Sequence, residues 1–122
     1  MIENRLSEYD EKFIKYPIDG KISIGIKIKD DLVAGLEGCI TTFNIFYLST
    51  LFVEEEFRRK GLGKCLIEEM EIRAKKLGAN TIRLDTFDFQ GKDFYKSMGY
   101  EQVGYYRNDE DNFEEYFFLK RI

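Results

Sequence analysis

Between Arg58 and Lys64 the chain gathers four cations, Arg58, Arg59, Lys60 and Lys64, around two glycines, Gly61 and Gly63, just before a helical pattern begins. That combination is chemistry for an anion. The first N–H groups of a helix have no intrahelical acceptor, and the helix dipole adds positive potential beside them. Glycine turns through angles closed to other residues and leaves no Cβ between its amide and a ligand. Arginine and lysine add charge-assisted donors. The stretch therefore predicts a site for a phosphate or pyrophosphate. The structural alternative is a basic helix start whose glycines serve only the turn. A basic N-terminus opposes the helix dipole, which favours a compensating anion. Two familiar phosphate loops are excluded. A Walker A loop needs a glycine where Arg58 stands and Ser or Thr where Cys65 stands, and the dinucleotide fingerprint needs a third glycine where Leu66 stands.

The elements that must position this stretch follow from periodicity. Ile2, Leu6, Tyr9, Phe13 and Tyr16 recur at helical spacing, and Pro17 and Gly20 end that run. Ile22, Ile24, Ile26 and Ile28 alternate strictly and predict a strand. "KDD" predicts a turn into a second strand, "LVAGLEGCITTF", where Gly35 and Gly38 suggest a bulge. "IFYLSTLFV" reads as a third, well-covered strand. A helix follows with Leu62, Leu66, Met70, Ala74 and Leu77 on its apolar stripe, helped by Cys65 and closed by Gly78. "NTIRLDTF" is a further strand, "QGKDFYKSMG" a short helix, and "YEQVGYYR" and "NFEEYFFLKRI" two closing strands. The central strand–helix–strand unit predicts two parallel strands joined by a right-handed crossover. It brings the basic turn and "TFDFQG" to one edge of the sheet, where ligands of such units bind.

Composition bounds the partners. The 122 residues suit a single domain over 1–122, with 43% hydrophobic residues, 34% charged residues and a net charge of −4. An acidic chain is a poor general binder of nucleic acid, so the basic cluster is local and its partner small. Without histidine there is no histidine base, and a zinc site would need unusual ligands, so no metal is expected. Cys39 and Cys65 read as reduced, mostly buried residues. No signal peptide and no membrane-spanning run is recognised, which predicts a soluble cytoplasmic protein with no membrane partner.

A strand ending in Leu51, Phe52 and Val53, followed by Arg58-x-x-Gly61-x-Gly63, resembles the acetyl-CoA signature of the GNAT superfamily of N-acyltransferases, whose loop reads Gln/Arg-x-x-Gly-x-Gly/Ala. "FYKSMGYEQVG" is similar to the second block of that superfamily, Tyr-x-x-x-Gly-Phe/Tyr, here Tyr95, Gly99 and Tyr100. The longer "LDTFDFQGKDFYKSMGY" is similar to a bacterial subgroup of small GNAT proteins. The resemblance is strong from Leu48 to Gly104 and looser over the closing strands.

The resemblance implies a mixed α/β fold: a mostly antiparallel sheet with a parallel strand–helix–strand unit, flanked by helices. It implies acetyl-CoA as acyl donor and transfer to a primary amine of a small molecule or peptide. The amides of Arg59, Lys60, Gly61, Leu62, Gly63 and Lys64, with the Arg58 side chain, would hold the pyrophosphate. Leu51, Phe52 and Val53 would offer backbone to the pantetheine arm and the acetyl carbonyl. Tyr95 matches the tyrosine commonly assigned as general acid, against the plainer reading of a core aromatic; Phe94 is the better core candidate. Gln90 would orient cofactor or substrate, or simply begin a helix. The general base stays open among Glu37, Asp85 and Asp88, or a water held by Ser49 and Thr50. The turn "RNDEDNFEE" would favour a cationic acceptor if it overhangs the site, and otherwise is a solvated hairpin tip. The family normally opens with a strand that this sequence lacks before its first helix. That departure predicts an uncovered sheet edge and a homodimer that would cover it. Two other functions fit the same residues: a CoA-binding sensor or regulatory module without transfer, and a structural partner protein with a vestigial loop.

Overall fold

The computed structural model describes residues 20–87 and 89–122. The helical pattern over residues 2–16 lies outside the described residues, as does Asp88. The alternating isoleucines form β1 (Lys21–Ile28), with Ile22, Ile24 and Ile26 buried. The chain returns as β2 (Asp31–Ile40) through Lys29 and Asp30, whose φ angles of 52° and 71° give the turn twist that suits a two-residue hairpin. β3 (Ile45–Val53) runs antiparallel to β2. Helix α1 (Leu62–Lys76) then leads to β4 (Thr81–Thr86), parallel to β3. α2 (Phe89–Ser97), β5 (Glu101–Asn108) and β6 (Phe113–Arg121) complete the described chain. The six strands form one sheet in the order β1-β2-β3-β4-β6-β5. This is the mixed α/β, mostly antiparallel architecture expected, with one parallel pair among the described strands.

α1 buries Leu62, Leu66, Ile67, Met70 and Ala74 in the same core as Phe46, Leu48, Ile82 and Leu84. Each large aliphatic side chain so buried contributes about 1.5–3 kcal/mol, and together these fix where the helix lies. Leu77, expected on this stripe, is 49% exposed. The helix has already ended there: Gly78 turns at φ 101° and the Ala79 amide donates back to the Ala74 carbonyl. Cys39 and Cys65 are reduced, in no disulfide, and half-buried rather than buried.

Two irregularities of β3 bear on the site. Glu37 pairs with Thr50 and Gly38 with Leu48, leaving Ser49 as an extra residue in β3. The bulge expected at Gly35 or Gly38 is at neither: β2 has an extra residue at Val33, against β1, and the one across from Gly38 belongs to β3. Gly38 is needed for close approach instead: a Cβ there would lie 2.5 Å from the Tyr47 carbonyl oxygen and from the Phe46 ring. Because strand side chains alternate, the extra residue reverses the parity of β3. Phe46 and Leu48 point to the core before it, and Leu51 and Val53 after it.

The second irregularity is an opening. β3 pairs with β4 only from Ile45 to Leu48, against Thr81 to Leu84. Beyond that, β3 stays with β2 as far as Val53, and β4 stays with β6 as far as Thr86. The two parallel strands thus part at their carboxyl ends. A polar clamp braces the elements around the gap. The Lys120 ammonium on β6 donates to Glu71 on α1 (3.0 Å) and to the Met98 carbonyl after α2 (2.9 Å). The Tyr100 hydroxyl donates to the same Glu71 carboxylate at 2.8 Å. Burial, then this bond to Glu71, pushes the Tyr100 phenol well above the usual tyrosine range.

Candidate functional site

The gap between β3 and β4 is a cleft of about 520 Å³. Leu51, Phe52 and Val53 form one wall, Thr86 with Gly91, Phe94 and Tyr95 of α2 the other, and the basic turn closes one end. Past Leu48, β3 pairs with no described strand on this side. An unpaired strand edge accepts an extended, amide-bearing ligand as it would accept another strand.

The turn is built as the sequence suggests, with a different reason for each glycine. Arg59 and Gly61 both adopt left-handed angles, φ 63° and 79°. A Cβ on Gly61 would meet nothing within 4 Å, so this glycine serves the backbone angle. A Cβ on Gly63 would lie 3.3 Å from the Phe94 ring, so this one serves close packing of α1 against α2. Gly61 caps α1 without a side-chain hydrogen bond, and the first turn holds no acid. After Arg58, the first main-chain N–H among the described residues that donates to a carbonyl is that of Cys65, to Gly61 at 3.0 Å. Among the described residues no main-chain carbonyl accepts from the amides of Arg59 to Lys64, and cationic side chains stand beside them. Donors so placed suit an anion.

The cations divide. Arg58, Arg59 and Lys64 line the cleft. The Arg58 Nε also donates to the Val53 carbonyl at 3.0 Å, bracing the turn against the end of β3. Lys60 is not among the lining residues; its ammonium lies 5.5 Å from the centre of the Phe57 ring. Gln90 lies in the first turn of α2, beside Gly91 of the cleft wall.

Tyr95 and Phe94 reverse the burial expected of them. Tyr95 is only 7% exposed, packed edge-on or tilted against Phe94, Tyr100 and Phe118 at 5.2–5.9 Å between ring centres. Phe94 is half-buried and borders Gly63. The reason is the seat of α2: it packs on β4 and β5, so the side turned to the sheet carries Tyr95. Both residues line the cleft, and Tyr95 is at once a core aromatic and a cleft residue.

Of the carboxylates named as candidate bases, Glu37 and Asp85 lie on the sheet face away from α1, and Asp88 is outside the described residues. Asp85 accepts a hydrogen bond from the Tyr47 hydroxyl at 2.8 Å. That bond, more than burial, holds the Tyr47 phenol above its usual range. Glu115, on the same face of β6 two residues from the Phe117 that pairs with Asp85, has its carboxyl pushed up by a hydrogen bond shared with Asp85, then by burial. This pair escaped sequence reasoning because it depends on which residues of β4 and β6 share a face. Glu37 is exposed and sits beside Thr50, while the Ser49 hydroxyl donates to the Glu37 carbonyl at 3.0 Å. In the acidic turn, Arg107 pairs with Asp109 and Glu114 at 2.7 and 2.9 Å, so the one cation of the turn is engaged by two of its five acids. Among the described residues no group of side chains could hold a metal ion, and no helix is long and apolar enough to cross a membrane.

The family profile described as "Acetyltransferase (GNAT) domain" matches residues 20–102 of this chain. An uncharacterized N-acetyltransferase of Chlorobaculum tepidum is 31% identical over 84 residues, which cover 62% of this chain and 52% of that protein. The match thus spans about half the length of that relative. Among solved structures, an acetyltransferase from Bacillus cereus is similar with a TM-score of 0.77 at 29% identity, over 99% of this chain and 89% of that one. The PaiA N-acetyltransferase of Thermoplasma acidophilum, solved in complex with coenzyme A, is similar with a TM-score of 0.70 at 25% identity, over 84% of this chain and 62% of that one.

Proposed function

Because the chain belongs to the acetyltransferase (GNAT) family, we propose that it transfers the acetyl group of acetyl-CoA to a primary amine of a small molecule or peptide. The observation that carries this reading is the opened edge of β3 leading straight to a turn whose amides no described main-chain carbonyl engages. A long ligand with amides along its arm and a pyrophosphate at its far end suits those two features together.

The amides of Arg59 to Lys64, with Arg58 and Lys64 beside them, suit the pyrophosphate, and Lys60 adds charge from outside the cleft. The edge of β3 at Leu51, Phe52 and Val53 suits the pantetheine arm. Gln90, at the start of α2, would orient the donor or the acceptor. Acetyl-CoA supplies a thioester, already activated for attack by an amine nitrogen. As the new C–N bond forms, a main-chain N–H of Phe52 or Val53 would take the charge that develops on the carbonyl oxygen. The C–S bond breaks, the surplus proton of the amine passes to water or a carboxylate, and the departing sulfur leaves as thiolate. Tyr95 would meet that sulfur. An ordinary tyrosine titrates near 10 and a thiol near 8.5, so full proton transfer is uphill. A hydrogen bond from the Tyr95 hydroxyl to the sulfur is the role its chemistry supports.

The test is acetyl-CoA consumption across a panel of cationic amines, amino acids and peptides. Amine-dependent release of free CoA is expected. CoA binding without transfer to any member of the panel would replace this reading with that of a sensor module, and absence of CoA binding would end both.

A further inference from the structure

On the face of the sheet away from α1, three polar side chains stand in one cross-strand row. Ser23 of β1 pairs with Glu37 of β2, which pairs with Thr50 of β3. The next row holds Gly25, Gly35 and Phe52. The Phe52 ring lies over Gly35, where a Cβ would come within 2.9 Å of it. Between the rows is a pocket of about 100 Å³. A space of that size, with the Phe52 ring closed over Gly35, suits an ammonium and a few methylenes better than a bulky branched group. Phe52 lines both this pocket and the large cleft, so the two meet at the strand that faces the donor.

The charge in the pocket is singular. Asp85 is engaged by Tyr47, Glu71 by Lys120 and Tyr100, and Asp109 and Glu114 by Arg107. Glu37 lines this pocket, and no described side chain pairs with its carboxylate. A carboxylate flanked by two hydroxyls supplies one negative charge and further hydrogen-bond acceptors, which is the complement of an ammonium group.

We propose that this pocket admits the amine end of an unbranched primary alkylamine acceptor, with Glu37 as the specificity-determining residue and the Phe52 ring as the wall shared with the donor cleft. The inference rests on the acyl-transfer reading above and narrows its acceptor. Glu37 selects by charge, Ser23 and Thr50 by hydrogen bonding, and the narrow floor at Gly35 by shape.

The experiment titrates the full chain, observed through its backbone amide resonances, with 1,4-diaminobutane, tert-butylamine and, separately, CoA. The linear diamine is expected to move Ser23, Gly25, Gly35 and Thr50, and tert-butylamine to leave them in place. Glu37→Gln should shift the diamine midpoint upward by about three- to fivefold, the scale of an exposed charge pair. With a transferable acceptor, the same variant should raise KM for linear amines and leave kcat nearly unchanged. Shifts centred on Asp85 and Glu115, no shift at millimolar amine, equal response to the branched amine, or an unchanged midpoint in the variant would each overturn the proposal. If the variant fails to fold, the contrast between linear and branched amines in the unaltered chain decides. CoA is read at Gly61 and Gly63. Movement there without amine shifts sinks this inference alone, and stillness there sinks the donor site.

Discussion

Two residues place the chemistry under direct test. Tyr95 is packed among three other aromatic rings and still borders the cleft, so Tyr95→Phe keeps the packing and removes only the hydroxyl. We expect kcat to fall by roughly ten- to a hundredfold, within or just below the range for a lost proton-donating group, with acetyl-CoA affinity nearly unchanged. Steady-state kinetics with donor binding measured separately checks this; an unchanged rate would leave Tyr95 a core residue only. Glu115 is tested through pH. Its carboxyl is raised by the hydrogen bond with Asp85, so the folded state holds a proton more tightly than the unfolded chain. The stability this provides is full below the ordinary carboxylate range and is lost as pH rises through the folded value. Glu115→Gln should therefore gain on the parent between pH 4 and pH 7, by under about 1 kcal/mol for so exposed a pair. Urea melts at both pH values would show it, and a gain in the opposite direction would mean the pair is not hydrogen-bonded.

At the scale of elements, the clamp made by Glu71, Lys120, Tyr100 and the Met98 carbonyl holds α1, the end of α2 and β6 together. Lys120→Met leaves the Glu71 carboxylate with one fewer partner and the Met98 carbonyl without its donor. Because both side chains keep some exposure, 26% and 17%, the expected loss is about 1–3 kcal/mol, less than for a fully buried pair. Chemical denaturation measures it. The order of these elements was legible in the sequence because its signals are local: alternating isoleucines, a helical stripe, glycines at turns. The basic turn was legible for the same reason. What the sequence did not display was parity. Nothing in "IFYLSTLFV" marks Ser49 as the extra residue, so neither the facing of Leu51 and Val53 nor the row joining Glu37 to Thr50 could be read. The Asp85–Glu115 pair and the exchange of roles between Phe94 and Tyr95 were hidden likewise, since each depends on which faces of separate elements meet.

For the whole molecule, the proposed donor bridges β3, α1 and α2, so its binding should be felt as global stability. At CoA a hundredfold above its dissociation constant the folded state gains about 2.7 kcal/mol, which for a domain of this size raises Tm by roughly 10 °C. Thermal melts with and without CoA check this, and coincident melts would count against the cleft as its site. The single extra residue in β3 has a consequence of the same reach. Ser49 tolerates a change of identity, since its side chain is exposed and makes one hydrogen bond to a backbone carbonyl. Its removal would not scramble the strand. With Ser49 gone, Leu48 opposite Gly38 and Thr50 opposite Glu37 become neighbours in an unbroken alternation, so Leu51 and Val53 still face inward and Phe52 outward. What is lost is the local bend that an extra residue gives the strand on its way to the basic turn. Ser49→Ala and the deletion are both expected to melt cooperatively, and the deletion alone to shrink the rise in Tm with CoA; an equal rise in both would mean that the kink does nothing to aim the strand at its ligand.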